Sequence, residues 1–124
     1  MPLVTMAAFA ALGAVGAVLR YGFVALVPHT FQPRALLAIN ALGSASIGVA
    51  SGAASVGALD LATVSAVGAL AAGFTTLSSF ALLSAESIDG GSLLRGIGIA
   101  VQHVVLGVVC AGAGYIPANL LFAA

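Results

Sequence analysis

Residues 61–85 read LATVSAVGALAAGFTTLSSFALLSA, twenty-five positions without Asp, Glu, Lys or Arg. About 20 helical residues cross a hydrocarbon core of about 30 Å, so this run is long enough for one span. Its centre, Gly73-Phe74-Thr75-Thr76-Leu77-Ser78-Ser79-Phe80, carries four hydroxyl side chains in five positions. Ser and Thr bond back to backbone carbonyls and bend a helix. Preceded by glycine, they can also unwind it and free carbonyls to bind a cation. The stretch therefore predicts a spanning helix that breaks in mid-membrane, with a hydroxyl stripe gluing neighbouring helices as the competing reading.

The rest of the chain has the same texture. Residues 1–19, 35–59 and 96–124 are equally free of charge. Of 124 residues, 62% are hydrophobic and only 5% charged, and mean hydropathy is +1.26. A soluble domain carries about a quarter charged residues. Three Arg, no Lys and three acids cannot solvate the surface of such a chain, and no basic patch exists to neutralise phosphates. A soluble enzyme, a nucleic-acid binder and a disordered tail are all disfavoured. The chain is read as an all-α membrane protein with four transmembrane helices, a single domain over residues 1–124.

The helices are expected at about residues 3–27, 34–56, 61–87 and 93–121. Pro28 and Pro33 break the first turn, Gly57 to Asp60 link the second and third helices, and Ile88 to Ser92 form the last loop. Pro117 is expected to loosen the end of the fourth helix. The N-terminus has no basic segment before its apolar stretch, so it reads as a retained span rather than a cleaved leader. Cys110, the lone cysteine, reads as a small hydrophobe. Gly48 and Gly52, and Gly13, Gly16 and Ala17, are small residues at helical spacing, suited to close helix packing and suggestive of self-association or a partner subunit.

Polar side chains inside a membrane are costly and mark candidate sites. Arg20, near one end of the first helix, reads either as a functional candidate or as a snorkelling interfacial anchor. Asn40 reads as a site residue or an interhelical hydrogen bond, and His103 and Gln102 as satisfied groups within the fourth helix. Glu86 and Asp89 read as solvated acids at the end of the third. Three acids, two distant histidines and one cysteine make neither a metal-ligand cluster nor a nucleophile–base pair, and no phosphate-cradling loop is present. Catalysis is not expected.

Three stretches in order resemble one family, the small fluoride channels known as Fluc or CrcB. ALGAVGAVLRY (residues 11–21) resembles its first-helix signature GxxGAxxRY. PRALLAINALGSASIG (33–48) resembles GTLxVNxxGSFxxG, and GALAAGFTTLSSF (68–80) resembles GFxGGFTTFSTF. The resemblance implies passive fluoride export through an antiparallel, dual-topology dimer in a bacterial-type plasma membrane, with two narrow pathways. Fluoride is small and strongly hydrated, so the pore must replace water with hydrogen-bond donors. The family's pathway positions map to Asn40, to the hydroxyls of Thr76, Ser78 and Ser79, and to Phe80, whose ring edge is electropositive. The first-helix arginine maps to Arg20. A structural sodium ion at the dimer centre maps to the backbone carbonyls of Ala72 and Thr75.

The departures matter too. Leu77 stands where the family has the first phenylalanine, Ala45 replaces another aromatic, Leu83 replaces an acid, and Ile99 and His103 stand for a tyrosine and a serine. Arg34, Arg95 and Arg20 all lie toward one side of the expected topology. By the positive-inside rule that side is cytoplasmic. A dual-topology homodimer should show little bias, so the expectation is one member of a pair of homologous, oppositely oriented subunits. A small four-helix multidrug transporter is the alternative, weakened because the first helix holds Arg20 and no acid. A non-conducting assembly subunit is the third reading.

Overall fold

The charge-free runs fold as helices, in a computed structural model that describes residues 2–124 apart from the side chains of Ser78 and Phe80. The helices are α1 (Leu3–Ala25), α2 (Gln32–Ser55), α3 (Leu61–Phe74), α4 (Leu77–Asp89) and α5 (Leu93–Ala123), with a single 3₁₀ turn at His29–Phe31. Three stretches, Leu3–Ala25, His29–Ser55 and Leu93–Ala123, are long and apolar enough to cross a membrane. The run at 61–85 is not one continuous helix. It divides into α3 and α4, 14 and 13 residues long, separated by Thr75 and Thr76 in extended conformations.

Local chemistry explains where the helices stop, and corrects several expected boundaries. Pro33 does not break the chain; it lies in the first turn of α2, where a residue without an N–H costs nothing. α5 runs past Pro117 to Ala123, two residues beyond its expected end, although Pro117 has no N–H to give the Ala113 carbonyl. α2 closes with Gly57 at φ +78°, where the N–H groups of Gly57 and Ala58 donate to the carbonyls of Ala54 and Ala53. α4 reaches Asp89 and closes the same way, with Gly91 at φ +87° and Gly91 and Ser92 donating to Ile88 and Ser87. Both are the paired C-terminal closure that favours glycine in the left-handed region. Asp60 caps α3, accepting the Thr63 N–H at 2.8 Å. That bonding holds its carboxyl below the usual carboxylate range, so the cap acts at neutral pH and is lost as pH falls through the lowered value.

Contacts between the helices give their directions. Gly13 and Gly16 of α1 cross α3 between Ala69 and Phe74, and further along α1 Arg20 reaches Thr75 and Val24 shares a cavity with Ser79 and Leu82, so α1 and α3 run parallel. Gly48 and Gly52 of α2 meet Ala111 and Tyr115 of α5, and Gly114 meets Ala45 and Val49, so α2 and α5 are also parallel. The two pairs alternate in direction, which puts the α1–α2 and α4–α5 turns at one end of the bundle. The buried core is thin and built of small residues: Ala35, Ala50, Ala53, Ala71 and Ala118, with Ile39 fully enclosed. Large side chains such as Leu26 and Leu94 are more than four-fifths exposed, as suits a surface that faces lipid or a partner.

The close-packing glycines named from the sequence thus serve contacts within the chain; self-association does not follow from them. A Cβ on Gly73 would run into the Gly13 backbone and one on Gly48 into Ala111, whereas Gly98 and Gly112 face open space. Gly73→Ala and Gly48→Ala should each destabilise the bundle by about 1–3 kcal/mol. Gly98→Ala and Gly112→Ala should not. Thermal unfolding in detergent, followed by size-exclusion of the survivor, separates the two classes.

Candidate ion site at the helix break

A continuous helix would give the Thr76 N–H to the Ala72 carbonyl. Here Thr76 turns away and its N–H donates to Oδ1 of Asn40 at 2.9 Å. The Asn40 Nδ2 donates in return to the Thr76 carbonyl at 3.3 Å. One carboxamide on α2 therefore pairs with both polar backbone atoms of a residue 36 positions away, as a neighbouring strand would. The second Nδ2 hydrogen points at Nδ1 of His103, 3.0 Å away on α5. A backbone N–H can only donate, so Oδ1 must be the acceptor and Nδ2 the donor. It follows that His103 Nδ1 accepts and that Nε2 carries the ring proton.

The hydroxyl of Thr76 starts α4. It accepts the Ser79 N–H at 3.2 Å and donates to the Ser79 hydroxyl at 3.1 Å, a side-chain cap of the kind that Thr supplies at a helix N-terminus. Thr75 turns its methyl group toward Gly43, which has no Cβ to obstruct it. The Thr75 carbonyl accepts a hydrogen bond from Nη1 of Arg20 at 2.8 Å. Gly13, Gly16 and Arg20 share one face of α1, so the glycine contacts that seat α1 on α3 also deliver the guanidinium to the break. A cation there complements the negative C-terminal end of α3.

The expected site residues fall into two cavities beside the break. One, of about 270 Å³, is lined by Asn40, Ser44, Ile47, Thr75, Thr76, Leu77, His103 and Val104. The other, of about 320 Å³, is lined by Arg20 and Ser79 among mainly apolar neighbours. Ser78 and Phe80, both expected in the pathway, lie outside the described side chains. Arg20 is not a free interfacial anchor, since its guanidinium is bonded to the break. Ser44 and the participation of His103 were missed by sequence reasoning. Ser44 stands one turn beyond Asn40 on the same helix face, which is the signal that would have found it.

The two carbonyls proposed for sodium differ in state. That of Ala72 has lost its helical donor to Asn40 and keeps only a long contact with the Thr75 hydroxyl, at 3.5 Å. An oxygen so released is suited to a cation. That of Thr75 already meets a guanidinium, and a sodium ion on the same oxygen would sit against a like charge. The carbonyl set matches sodium only with the Arg20 contact given up. Asn40→Ala should remove the Asn40 acceptor from the Thr76 N–H, at a cost of about 1–3 kcal/mol. Amide exchange at Thr76 should accelerate while exchange within α5 is retained.

The family description "CrcB-like protein, Camphor Resistance (CrcB)" matches residues 7–115. Two curated relatives, from two strains of Thermus thermophilus, are both named "Fluoride-specific ion channel FluC". The first is 37% identical over 108 residues, covering 83% of this chain and 86% of its own. The second is 36% identical over 108 residues, covering 83% and 84%. The matched segment takes in all but the first turn of α1, the Asn40–Thr76 pairing, the break and His103, and by that extent and identity the chain belongs to the CrcB family.

Proposed function

We propose that this chain is a subunit of a fluoride-specific channel that lets fluoride leave the cell passively. It is a multi-pass membrane protein and not an enzyme. In this reading α1, α2 and α5 each make one crossing, α3 and α4 together make a fourth, and residues 1–124 act as one channel domain. The observation that carries the reading is the Asn40–Thr76 pairing: it holds open a break in an apolar helix beside a cavity lined by Asn40, Ser44, Thr76 and His103. The N-terminal end of α4 adds the positive pole of its helix dipole at that point. A fluoride ion entering the cavity meets the Ser44 hydroxyl and takes the Asn40 N–H that otherwise points at His103 Nδ1, in place of its water shell. Leu77, about three-quarters exposed, offers no electropositive ring edge, so the aromatic contribution falls to Phe80.

The working unit is an antiparallel dimer, with a homologous second subunit preferred to a second copy of this chain. The placement of Arg34 and Arg95 at the end that carries the α1–α2 and α4–α5 turns supports one fixed orientation. A structural sodium between the Ala72 and Thr75 carbonyls of the two subunits belongs to the same proposal. It is supported by the released Ala72 oxygen and requires Arg20 to yield Thr75; no step of permeation depends on it.

Liposomes loaded with fluoride and read with a fluoride electrode test the reading. Efflux should appear when the chain is paired with its partner, and should not respond to collapse of a proton gradient. Asn40→Ala should slow efflux about tenfold or more, the equivalent of one lost hydrogen bond to a charged group, and Phe80→Ile should slow it too. Proton-coupled cation flux would favour the multidrug reading, and absence of flux in every pairing a non-conducting subunit. Brisk efflux from this chain alone would remove the need for a second subunit.

A further inference from the structure

We propose that His103 is a proton-binding site linked to the anion site: fluoride held at Asn40 and a proton held on Nδ1 of His103 each tighten the binding of the other. The proposal rests on the channel reading just given. His103 is buried, only 7% exposed, and its Nδ1 stands 3.0 Å from Nδ2 of Asn40. Its ring lines the Asn40 cavity and also a second cavity, of about 370 Å³, between α2, α4 and α5.

Three constraints produce the linkage. The first is a shortage of hydrogens. The Asn40 carboxamide has two N–H groups. One donates to the Thr76 carbonyl at 3.3 Å, so the other goes either to His103 or to an anion. When fluoride takes it, the Asn40 hydrogen leaves Nδ1 and that lone pair opens to a proton from solvent. Protonation turns Nδ1 from acceptor to donor and sets a positive charge beside the anion. The second constraint is that the carboxamide cannot turn over to meet a protonated ring. Its Oδ1 accepts the Thr76 N–H at 2.9 Å, and a flipped amide would set Nδ2 against that donor. With no anion at Asn40, protonation therefore brings two donors face to face across 3.0 Å.

The third constraint is charge. Arg34 of α2 and Arg95 of α5 line the second cavity with His103, and Arg20 of α1 stands at the break on the Thr75 carbonyl. α4 gives Leu83 and Ser87 to the lining, while its Glu86 and Asp89 stay outside, and no carboxylate lines either cavity. The break itself adds only Thr75, Thr76 and Leu77. An imidazolium here meets like charge until an anion arrives. The site without fluoride thus holds the ring neutral, and the site with fluoride favours the cation. Such coupling is reciprocal, and its usual size is about 5- to 150-fold in each affinity. The proton changes how tightly fluoride is held and supplies no driving force, so efflux stays passive.

The first measurement needs no conduction. Detergent-solubilised protein carrying ¹⁵N-labelled histidine is titrated from about pH 4.5 to about pH 8, a span that brackets the ordinary histidine value of about 6.5, with and without sodium fluoride. Saturating fluoride should move the His103 midpoint upward by about one pH unit, the counterpart of a tenfold coupling. The His29 ring, exposed and outside both cavities, should not respond, and sodium chloride should not reproduce the effect. A His103 midpoint indifferent to fluoride, or moved as far by chloride, overturns the linkage. The second measurement uses the reconstituted pair at equal pH on both faces, with leakage from protein-free vesicles subtracted. Half-maximal efflux should need about tenfold less fluoride at about pH 5.5 than at about pH 7.5. His103→Gln, whose carboxamide can accept from Asn40 but does not titrate, should lose that dependence, and His29→Gln should keep it. A His103→Gln channel with the full pH dependence refutes the proposal while leaving the channel reading intact. Wild type that passes no fluoride in any pairing refutes the channel reading instead, and the labelled-histidine titration then decides the linkage by itself.

Discussion

Thr76 has one backbone N–H to give, and in this fold it gives it to Asn40 rather than to Ala72. Each alternative satisfies the donor, so neither is decided by hydrogen-bond count. What tips the balance is that Asn40 takes the carbonyl as well, and that its own amide is half-buried between the break and α5. There an unmet donor or acceptor costs about 1–3 kcal/mol. A continuous helix would leave the carboxamide stranded; the break releases the Ala72 carbonyl, which keeps a long contact with the Thr75 hydroxyl. The Thr76 hydroxyl then starts α4 at once, and Arg20 covers the end of α3. Both half-helices are finished by side chains drawn from three different elements.

Those side chains arrive because the helices carrying them come unusually close. Glycines bring backbone against backbone where α1 meets α3, at Leu70 and Gly73, and where α2 meets α5, at Ala111, Tyr115 and Ala45. The first contact sets the reach of Arg20 to Thr75. The second sets Asn40 against His103, and is secured at its far end by Asn119, whose Nδ2 donates to the Ser55 hydroxyl at 2.8 Å. Small residues are thus consumed in fixing the register of polar ones. The large apolar side chains are left on the outside, where a bilayer or a second subunit would cover them.

Much of this was legible in the residues. Charge-free runs located the helices, the paired threonines and serines after Gly73 located the break, and three ordered motifs pointed to the family. Pro33 misled, because a proline in a first helical turn looks like one in a loop until the helix start is known. The partners of Asn40 and Arg20 were out of reach. His103 is 63 positions from Asn40, and Thr75 is 55 from Arg20. Periodicity assigns a side chain to a face, but it does not say which atom on another helix will stand opposite. His103 was read as a satisfied histidine, which is correct as far as it goes: its partner is the very amide that holds the break.

The division of one apolar run into two half-helices also bears on how the chain is made. α3, with 14 residues, is about 21 Å long, short of the hydrocarbon thickness that a lone helix must bridge. By itself it is too short to cross a bilayer as it emerges from the ribosome; only with α4 does the run reach the length that a crossing needs. By then α2 has already been synthesised, with its asparagine on the inward face. The earlier helix is in place to catch the kink as it forms, so vectorial synthesis presents the template before the strand that needs it.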